Sequence, residues 1–239
     1  MLYLIGLGLD IKDISIKSIE VLKRCDKIYF ENYTNVMNFD IKDIEKIIKS
    51  KVIMADRQFV EENEQLLKEA KSKKIALLVS GDPLSATTHI DLIIRAKKMK
   101  IKTRILHAPS IFTAIAETGL QLYKFGKTAS IAKWTPTFRP ESFYEIIKKN
   151  LEHDAHTLIL IDIGMEVNEA LGYLESIAKA RDPMMLERKI VVCQQLGTEN
   201  QRFYFGKISS LMKKKFRLPA CIIIPAKLHF VEEEFLNSL

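Results

Sequence analysis

Leu77-Leu-Val-Ser-Gly-Asp-Pro-Leu-Ser-Ala-Thr-Thr-His89 changes character abruptly, from an apolar run to Gly81-Asp82-Pro83 and then to a polar helix opening. It reads as a strand that ends in a turn carrying a charge. Gly81 lets a ligand or a second backbone come close. Pro83 fixes its own φ and biases Asp82 away from the helical region, and Asp82 puts a carboxylate at the strand's C-terminal edge. In open α/β sheets that edge is where ligands bind. The tripeptide equally suits a turn in which Asp82 only caps the next helix, so the rest of the chain has to decide.

Outward from this stretch, strand-like and helix-like segments alternate, which predicts α/β architecture with parallel strands in the first half. Residues 2–8 read as the first strand, and Asp13 or Ser15 caps a helix whose apolar stripe is Ile16, Ile19, Leu22 and Cys25. Residues 27–30 form a short strand, with a polar loop over 31–34. A helix over 41–48, a strand over 52–54 and a charged helix over 61–73, with Leu66, Leu67 and Ala70 inward, lead to the opening strand at 75–79. Residues 88–99 form a helix showing Ile90, Ile93 and Ile94 on its apolar face, and 102–107 form a strand ending at Ala108-Pro109-Ser110. At this second strand–turn–helix junction Ser110 is a good N-cap for a helix over 111–118. A ligand laid across both turns would meet free backbone N–H groups there, although a well-capped buried helix would read the same way.

Beyond Gly119 the strands become longer, at 128–134, 157–163, 189–196, 201–205 and 220–225, with helices at 141–151, 168–180 and 207–216. Only Gly-Thr-Glu-Asn precedes Gln201, a hairpin signal, so this half should carry a mixed sheet. The boundary falls near residue 109 without a flexible linker: an N-terminal α/β domain over 1–109 and a C-terminal α/β domain with a mixed sheet over 110–239.

An apolar share of 47% over 239 residues is enough for a proper core. The net charge of +7 comes largely from lysines on helix faces and ends, where solvation is the usual explanation. No aromatic and basic residues interleave as a stacking platform requires, so direct nucleic-acid binding is not expected. Met1–Leu9 lacks a basic n-region and is broken by glycines, and no apolar run reaches the length of a membrane span. Cys25, Cys193 and Cys221 lie far apart in apolar surroundings and read as buried free thiols, which suits a cytoplasmic protein with no membrane association. Among the histidines at 89, 107, 153, 156 and 229, only His153 and His156 are close in sequence, in what reads as a polar turn. Without a Cys-x-x-Cys companion they predict no metal site. Gly6-Leu-Gly8 lacks the third glycine of a dinucleotide fingerprint and does not resemble a phosphate loop.

Five blocks together resemble a known family: Gly6-Leu-Gly-Leu9 with Asp13-Ile-Ser15, Asp26 to Thr34, Ser80 to His89, His107-Ala-Pro-Ser-Ile-Phe112, and Pro225-Ala-Lys-Leu-His-Phe-Val-Glu232. They occur in the order seen in the diphthine synthases, methyltransferases of diphthamide biosynthesis within the tetrapyrrole-methylase-like superfamily. The resemblance runs from residue 1 to the C-terminus. It implies a homodimer with two α/β domains of tetrapyrrole-methylase type per chain, and S-adenosylmethionine held in the interdomain cleft. It carries the donor contacts onto Leu9, Asp82, Ser85, Ser110, Ile111, Ile163, Phe205 and His229, and it assigns no catalytic residue and no metal. On the residues alone, Asp82 suits hydrogen bonds from ribose hydroxyls or the donor's amine, whereas His229 would read as a structural core histidine.

The implied partner is translation elongation factor 2. Its aminocarboxypropyl-histidine would receive methyl groups on the amine, three in all. An α-amine titrates near pH ~8, so no strong base is required, and proximity with water excluded carries the catalysis. The chain departs from the family pattern at Asp162-Ile-Gly-Met-Glu-Val-Asn168, which is short, at Gln194-Gln195-Leu-Gly-Thr198, and at Ala226 where glycine is expected. These departures bear on Ile163 and Phe205 more than on Asp82 or Ser110. Two other functions fit the same fold: a methyltransferase of the superfamily acting on a tetrapyrrole or ribosomal RNA, and a non-catalytic adapter that binds the elongation factor.

Overall fold

The centre of the N-terminal half is the run Ile75-Ala-Leu-Leu-Val79, every residue of which is buried. A continuous apolar strand of this kind is stable only with a helix layer on both faces, as in a parallel sheet. The computed structural model describes residues 1–239 except 35, 37 and 38, and divides into two compact units, Met1–Ala114 and Ile115–Leu239.

The first unit runs β1 (Leu2–Gly6), α1 (Ile16–Leu22), β2 (Lys27–Glu31), α2 (Ile41–Ile48), β3 (Ile53–Ala55), α3 (Gln65–Ser72), β4 (Ile75–Val79), α4 (Ile90–Lys98), β5 (Thr103–Leu106) and α5 (Ile111–Ala114). All five strands are parallel, in the order β3-β2-β4-β1-β5. Alternation along the strands sorts the core into two layers. Leu2, Leu4, Ile75, Leu77 and Val79 pack with Leu66 and Leu67 of α3 and Leu92 and Ile93 of α4. Ile5, Ile28, Phe30, Ala76 and Leu78 pack with Leu22 of α1 and Ile44 and Ile48 of α2. Each such fully buried Leu or Ile contributes about 1.5–3 kcal/mol.

The second unit runs β6 (Ala129–Ile131), α6 (Ser142–Glu152), β7 (Thr157–Ile161), α7 (Val167–Arg181), β8 (Lys189–Gln194), β9 (Arg202–Lys207), α8 (Ile208–Leu211), β10 (Ala220–Ile224) and α9 (Phe230–Asn237). Its order is β6-β7-β10-β8-β9, with β6 parallel to β7 and every other pairing antiparallel. The α/β class, the parallel first sheet and the mixed second sheet with its β8–β9 hairpin are as the sequence predicts. Among the described residues no helix is long and apolar enough to cross a membrane.

Several local expectations are corrected. Ser15 caps α1, its hydroxyl accepting from Ser18 N, but Ile16 is 78% exposed and the inward residues are Ser18 and Leu22. A stripe spaced by three slips about 60° per step against a 3.6-residue turn, so it cannot stay on one face. In α4 the inward residues are Leu92, Ile93 and Ala96, while Ile90 and Ile94 share the outer face. Apolar residues stand on both sides of that helix, and periodicity alone does not choose between them. The helix over 61–73 divides into a π-helical turn at Gln58–Glu62 and α3. The helices predicted over 111–118 and 207–216 shorten to α5, followed by a 3-10 turn at Ile115–Thr118, and to α8.

Gly6 ends β1 beneath two other loops, where an added Cβ would stand 2.6 Å from Gly81 O, 2.8 Å from Ala108 Cβ and 3.0 Å from Pro83 Cδ. Gly172, inside α7, has nothing within 4 Å of the same position. Gly6→Ala is therefore expected to destabilise the protein by about 1–3 kcal/mol through overpacking. Gly172→Ala should stabilise it by about 0.4–1 kcal/mol. Thermal melts of the two variants should move in opposite directions; a shared direction would refute the packing account of Gly6.

Candidate functional site

At the carboxyl edge of the first sheet three turns meet. Gly8, at φ +80°, and Gly81, at φ +71°, form an antiparallel bridge: Gly8 N donates to Gly81 O at 3.2 Å and Gly81 N to Gly8 O at 2.8 Å. Beyond Gly8, Asp13 Oδ2 accepts from the backbone N–H of Leu9 at 2.8 Å and of Asp10 at 3.0 Å, which closes the β1 turn. A Cβ at Gly8 would lie 2.1 Å from Asp13 Cβ, so the closed turn requires glycine there.

Asp82 ties this turn to the end of β5. Its Oδ1 accepts from Leu84 N at 3.0 Å and from the Ser85 hydroxyl at 3.4 Å. Its Oδ2 meets His107 Nδ1 at 2.7 Å and accepts from Ala108 N at 3.2 Å. The residue is 7% exposed. Burial pushes the Asp82 carboxyl up, but Leu84 N–H, the His107 ring and Ala108 N–H outweigh it and hold the group below the usual carboxylate value. An ionised carboxylate offers about four acceptor positions, and protein groups fill them. Two are fixed by backbone, and two are lent by side chains, one across a long contact and one from the exposed His107. Sequence expects Asp82 to meet ribose or amine donors; in the structure its acceptor positions hold protein donors, of which Ser85 and His107 are the side-chain ones.

Leu9, Asp82 and Ser85 are gathered on this edge, and Ser110 and Ile111 follow Ala108 into α5. Ser110 is buried; its carbonyl accepts from Thr113 N and Ala114 N, and Thr113 Oγ1 accepts from Ser110 N at 3.3 Å. A Cβ at Gly81 would have nothing within 4 Å, so the backbone of this turn is open to close approach by a ligand.

The second unit spreads its predicted residues out. Ile163 follows the carboxyl end of β7, half-exposed, its N–H donating to Asp162 Oδ1 at 3.0 Å, and neighbouring Gly164 also leaves open space where a Cβ would be. Phe205 lies in the edge strand β9 opposite Val191, with Lys189 Nζ 5.1 Å from its ring centre. His229 follows β10, and because Ile224 pairs with Thr157 at the start of β7, it lies beyond the sheet edge opposite to Ile163. His229 is also exposed rather than a core histidine: it is the N-cap of α9, Nδ1 accepting from Val231 N at 3.4 Å.

The core histidine is His156, completely buried and not in a polar turn. Its Nδ1 accepts from Ala226 N at 2.9 Å, which leaves Nε2–H to donate to Glu232 Oε1 at 3.0 Å. Glu232, also fully buried, accepts from Gln121 N and His229 N and so pins α9 to the sheet. Burial lowers the His156 pKa despite the carboxylate beside it.

The sequence did not point to the Asp82–His107 pair, although each residue stands just past a strand end. Nor did it point to a group beside the β4 turn. Glu31, at the end of β2, is buried and accepts from Tyr33 N and from the N–H and hydroxyl of Thr34; burial pushes its carboxyl up, only partly offset by those bonds. His89 is buried with Nδ1 3.1 Å from Pro83 O.

Residues 1–212 match the family model of the Tetrapyrrole (Corrin/Porphyrin) Methylases. The chain is 44% identical to a diphthine synthase of Methanococcus aeolicus, covering 100% of this chain and 98% of the relative. It is 39% identical to a diphthine methyl ester synthase of Bos taurus, covering 99% and 94%. A crystal structure of a diphthine synthase superposes with a TM-score of 0.90 at 35% identity, covering 100% of this chain and 95% of the other.

The His156 arrangement predicts a pH dependence. A neutral buried histidine contributes stability in full above its unfolded pKa of about 6.5, and that contribution is lost as pH falls through the lower folded value. Urea midpoints should therefore decline on acidification below about pH 6.5, and His156→Gln should flatten the decline. An unchanged pH profile in that variant would refute the assignment.

Proposed function

From the premise that this chain belongs to the diphthine synthases of the tetrapyrrole methylase family and is a methyltransferase, we propose that it uses S-adenosylmethionine to methylate the amine of the aminocarboxypropyl-histidine of translation elongation factor 2. Three methylations are expected. A homodimer, carried by the family resemblance, and a cytoplasmic setting, read from the free cysteines, belong to the same proposal.

The observation that carries the reading is the Asp82 turn. Three backbone turns converge on one sheet edge, one of them with open space beside Gly81, and a charged carboxylate is held ionised there by four protein donors. This fits a ligand with hydroxyl and amine groups: Leu84 N and Ala108 N keep Asp82 in place, while Ser85 and His107 yield their positions. Leu9 borders the closed β1 turn, and Ser110 and Ile111 present backbone at the start of α5. Ile163, whose neighbour Gly164 leaves open space, Phe205 and His229 are carried by the resemblance. S-adenosylmethionine would supply the methyl group from its sulfonium.

The chain's own task is to hold the acceptor nitrogen in line and exclude water, a source of rate that needs no strong base because an α-amine titrates near pH ~8.

Two measurements test the reading. Mass spectrometry of elongation factor 2 carrying the aminocarboxypropyl-histidine, after incubation with the protein and S-adenosylmethionine, should show three added methyl groups on that side chain. Titration calorimetry should show Asp82→Ala binding the donor at least about tenfold more weakly, the loss expected when a charged hydrogen-bond acceptor goes. Donor affinity unchanged in Asp82→Ala would overturn the site; donor binding without any methylation would favour an adapter or another substrate.

A further inference from the structure

The chain's excess of positive charge is not spread evenly. Between Glu187 and Arg217 stand eight Lys or Arg residues against two Glu, a balance of +6 in a chain whose total is +7. In sequence these cations read as solvated helix faces and ends. In the structure the stretch is β8, β9, α8 and the turn that leads into β10, all within the second unit.

β9 is an edge strand that pairs only with β8. Lys207 at its end is paired with Glu187. Lys189, Arg202, Lys213, Lys214, Lys215 and Arg217 are all exposed, and none has an ion-pair partner among the described residues. The fold draws several of them together. The strand register sets Arg202 opposite Gln194, and Gln194 Oε1 accepts from Arg217 N at 2.9 Å, so the two arginines are neighbours. Lys214 reaches back to the same strand, its Nζ 5.3 Å from the Tyr204 ring centre. The backbone that carries them is tied down. Asn168 Nδ2 donates to Lys214 O at 3.0 Å, and Gln195 Nε2 donates to Leu218 O at 3.0 Å.

Like charges held close without counter-ions repel, and a partner rich in carboxylates or phosphates relieves that repulsion. Three kinds of partner fit this face poorly. A second copy related by a two-fold axis would set the patch against itself. Stable membrane anchoring takes an apolar insertion besides charge, and among the described residues from 187 to 217 no large apolar side chain is exposed. A nucleic-acid strand stacks its bases on bare aromatic faces, whereas Tyr204 is covered. It packs on the core of the second unit, meets Phe216 edge-to-face at 5.1 Å and carries Lys214 over its ring. An acidic protein surface asks for none of these and is answered by the exposed cations alone.

We propose that this face is the docking surface for an acidic patch on the protein substrate, with Lys213, Lys214, Lys215, Arg202 and Arg217 meeting its carboxylates. The identity of the partner as the substrate rests on the function proposed above. Exposed charges of this kind act on the encounter: they speed association, and salt weakens them. The methyl donor takes no part in the contact, so its affinity is independent of these residues.

The test is the association rate of the full chain with elongation factor 2 carrying the aminocarboxypropyl-histidine, read by biolayer interferometry at about 50 and about 300 mM salt. The fourfold variant Lys213→Gln, Lys214→Gln, Lys215→Gln, Arg217→Gln is compared with the wild type and with Lys148→Gln, Lys149→Gln, which removes charge from α6. The wild type should associate about tenfold more slowly at the higher salt. The fourfold variant should be about tenfold slower at low salt and nearly indifferent to salt, with KM for elongation factor 2 raised, kcat unchanged and donor affinity unchanged. Lys213 and Lys215 have no ring contact among the described residues, so Lys213→Gln with Lys215→Gln carries the test if the fourfold variant does not fold. A variant that associates as fast as the wild type, or an equal loss in the α6 control, would overturn the proposal. So would an oligouridylate or phosphatidylserine vesicles that bind the wild type and not the fourfold variant while elongation factor 2 binds both alike. If elongation factor 2 binds through this face and is not methylated, the surface is upheld and the function proposed above falls. If the fourfold variant methylates it with the wild-type KM, that function stands and the surface falls.

Discussion

The first unit depends on a side chain that is absent. β4 and β5 are not neighbours in the sheet, since β1 lies between them, yet the Asp82 carboxylate at the end of β4 reaches Ala108 N and His107 at the end of β5. It passes over the last residue of β1, and that residue is Gly6. With any Cβ there, Gly81 O, Pro83 and Ala108 could not sit where they do. The bridge between Gly8 and Gly81 then fixes the β1 turn to the same point. A bend in three segments is held by a carboxylate kept ionised, so this sheet edge is fixed by the protein's own groups.

Much of this was legible because strand character is local. Ile75–Val79 is apolar throughout, and a strand of that kind implies helices on both faces, which the helices supplied by alternation fulfil. The Gly-Thr-Glu-Asn link likewise forces the β8–β9 hairpin and hence the mixed second sheet. Helix faces were less legible. Ile16, Ile90 and Ile94 are as apolar as the residues that turn inward, and only the angle at which each helix meets the sheet decides which side is buried. That angle is a tertiary quantity with no local signature.

The candidate site divides along the same line. Asp82, Ser85 and Leu9 fall together because each stands one turn past a parallel strand end, a position that sequence order reveals once the strands are assigned. His107 obeys the same rule and differs only in pairing across a strand, which requires the strand order to be known. In the second unit the sheet is mixed, so residues after successive strands point to opposite edges; Ile163 and His229 are an instance. His156 and His229 show the remaining difficulty. One histidine of the polar-looking stretch 153–156 is wholly buried on Glu232, while the one near the apolar β10 is an exposed cap. Burial of a histidine is decided by its partner, and here the partner is 76 residues away.

The segment from Asp82 to His89 is tied on two sides. Its carboxylate faces β5 through Oδ2, and its own Pro83 carbonyl faces the other way into His89 Nδ1. The Pro83 peptide is thereby held from both sides: by Asp82, whose Oδ1 also ties Leu84 N, and by the Thr87 hydroxyl and the buried His89 ring, which both donate to Pro83 O. A displacement on either side is passed to the other through a proline whose φ is fixed. Apolar strand, glycine, aspartate, proline and buried histidine in that order make a stiff piece of chain at the sheet edge.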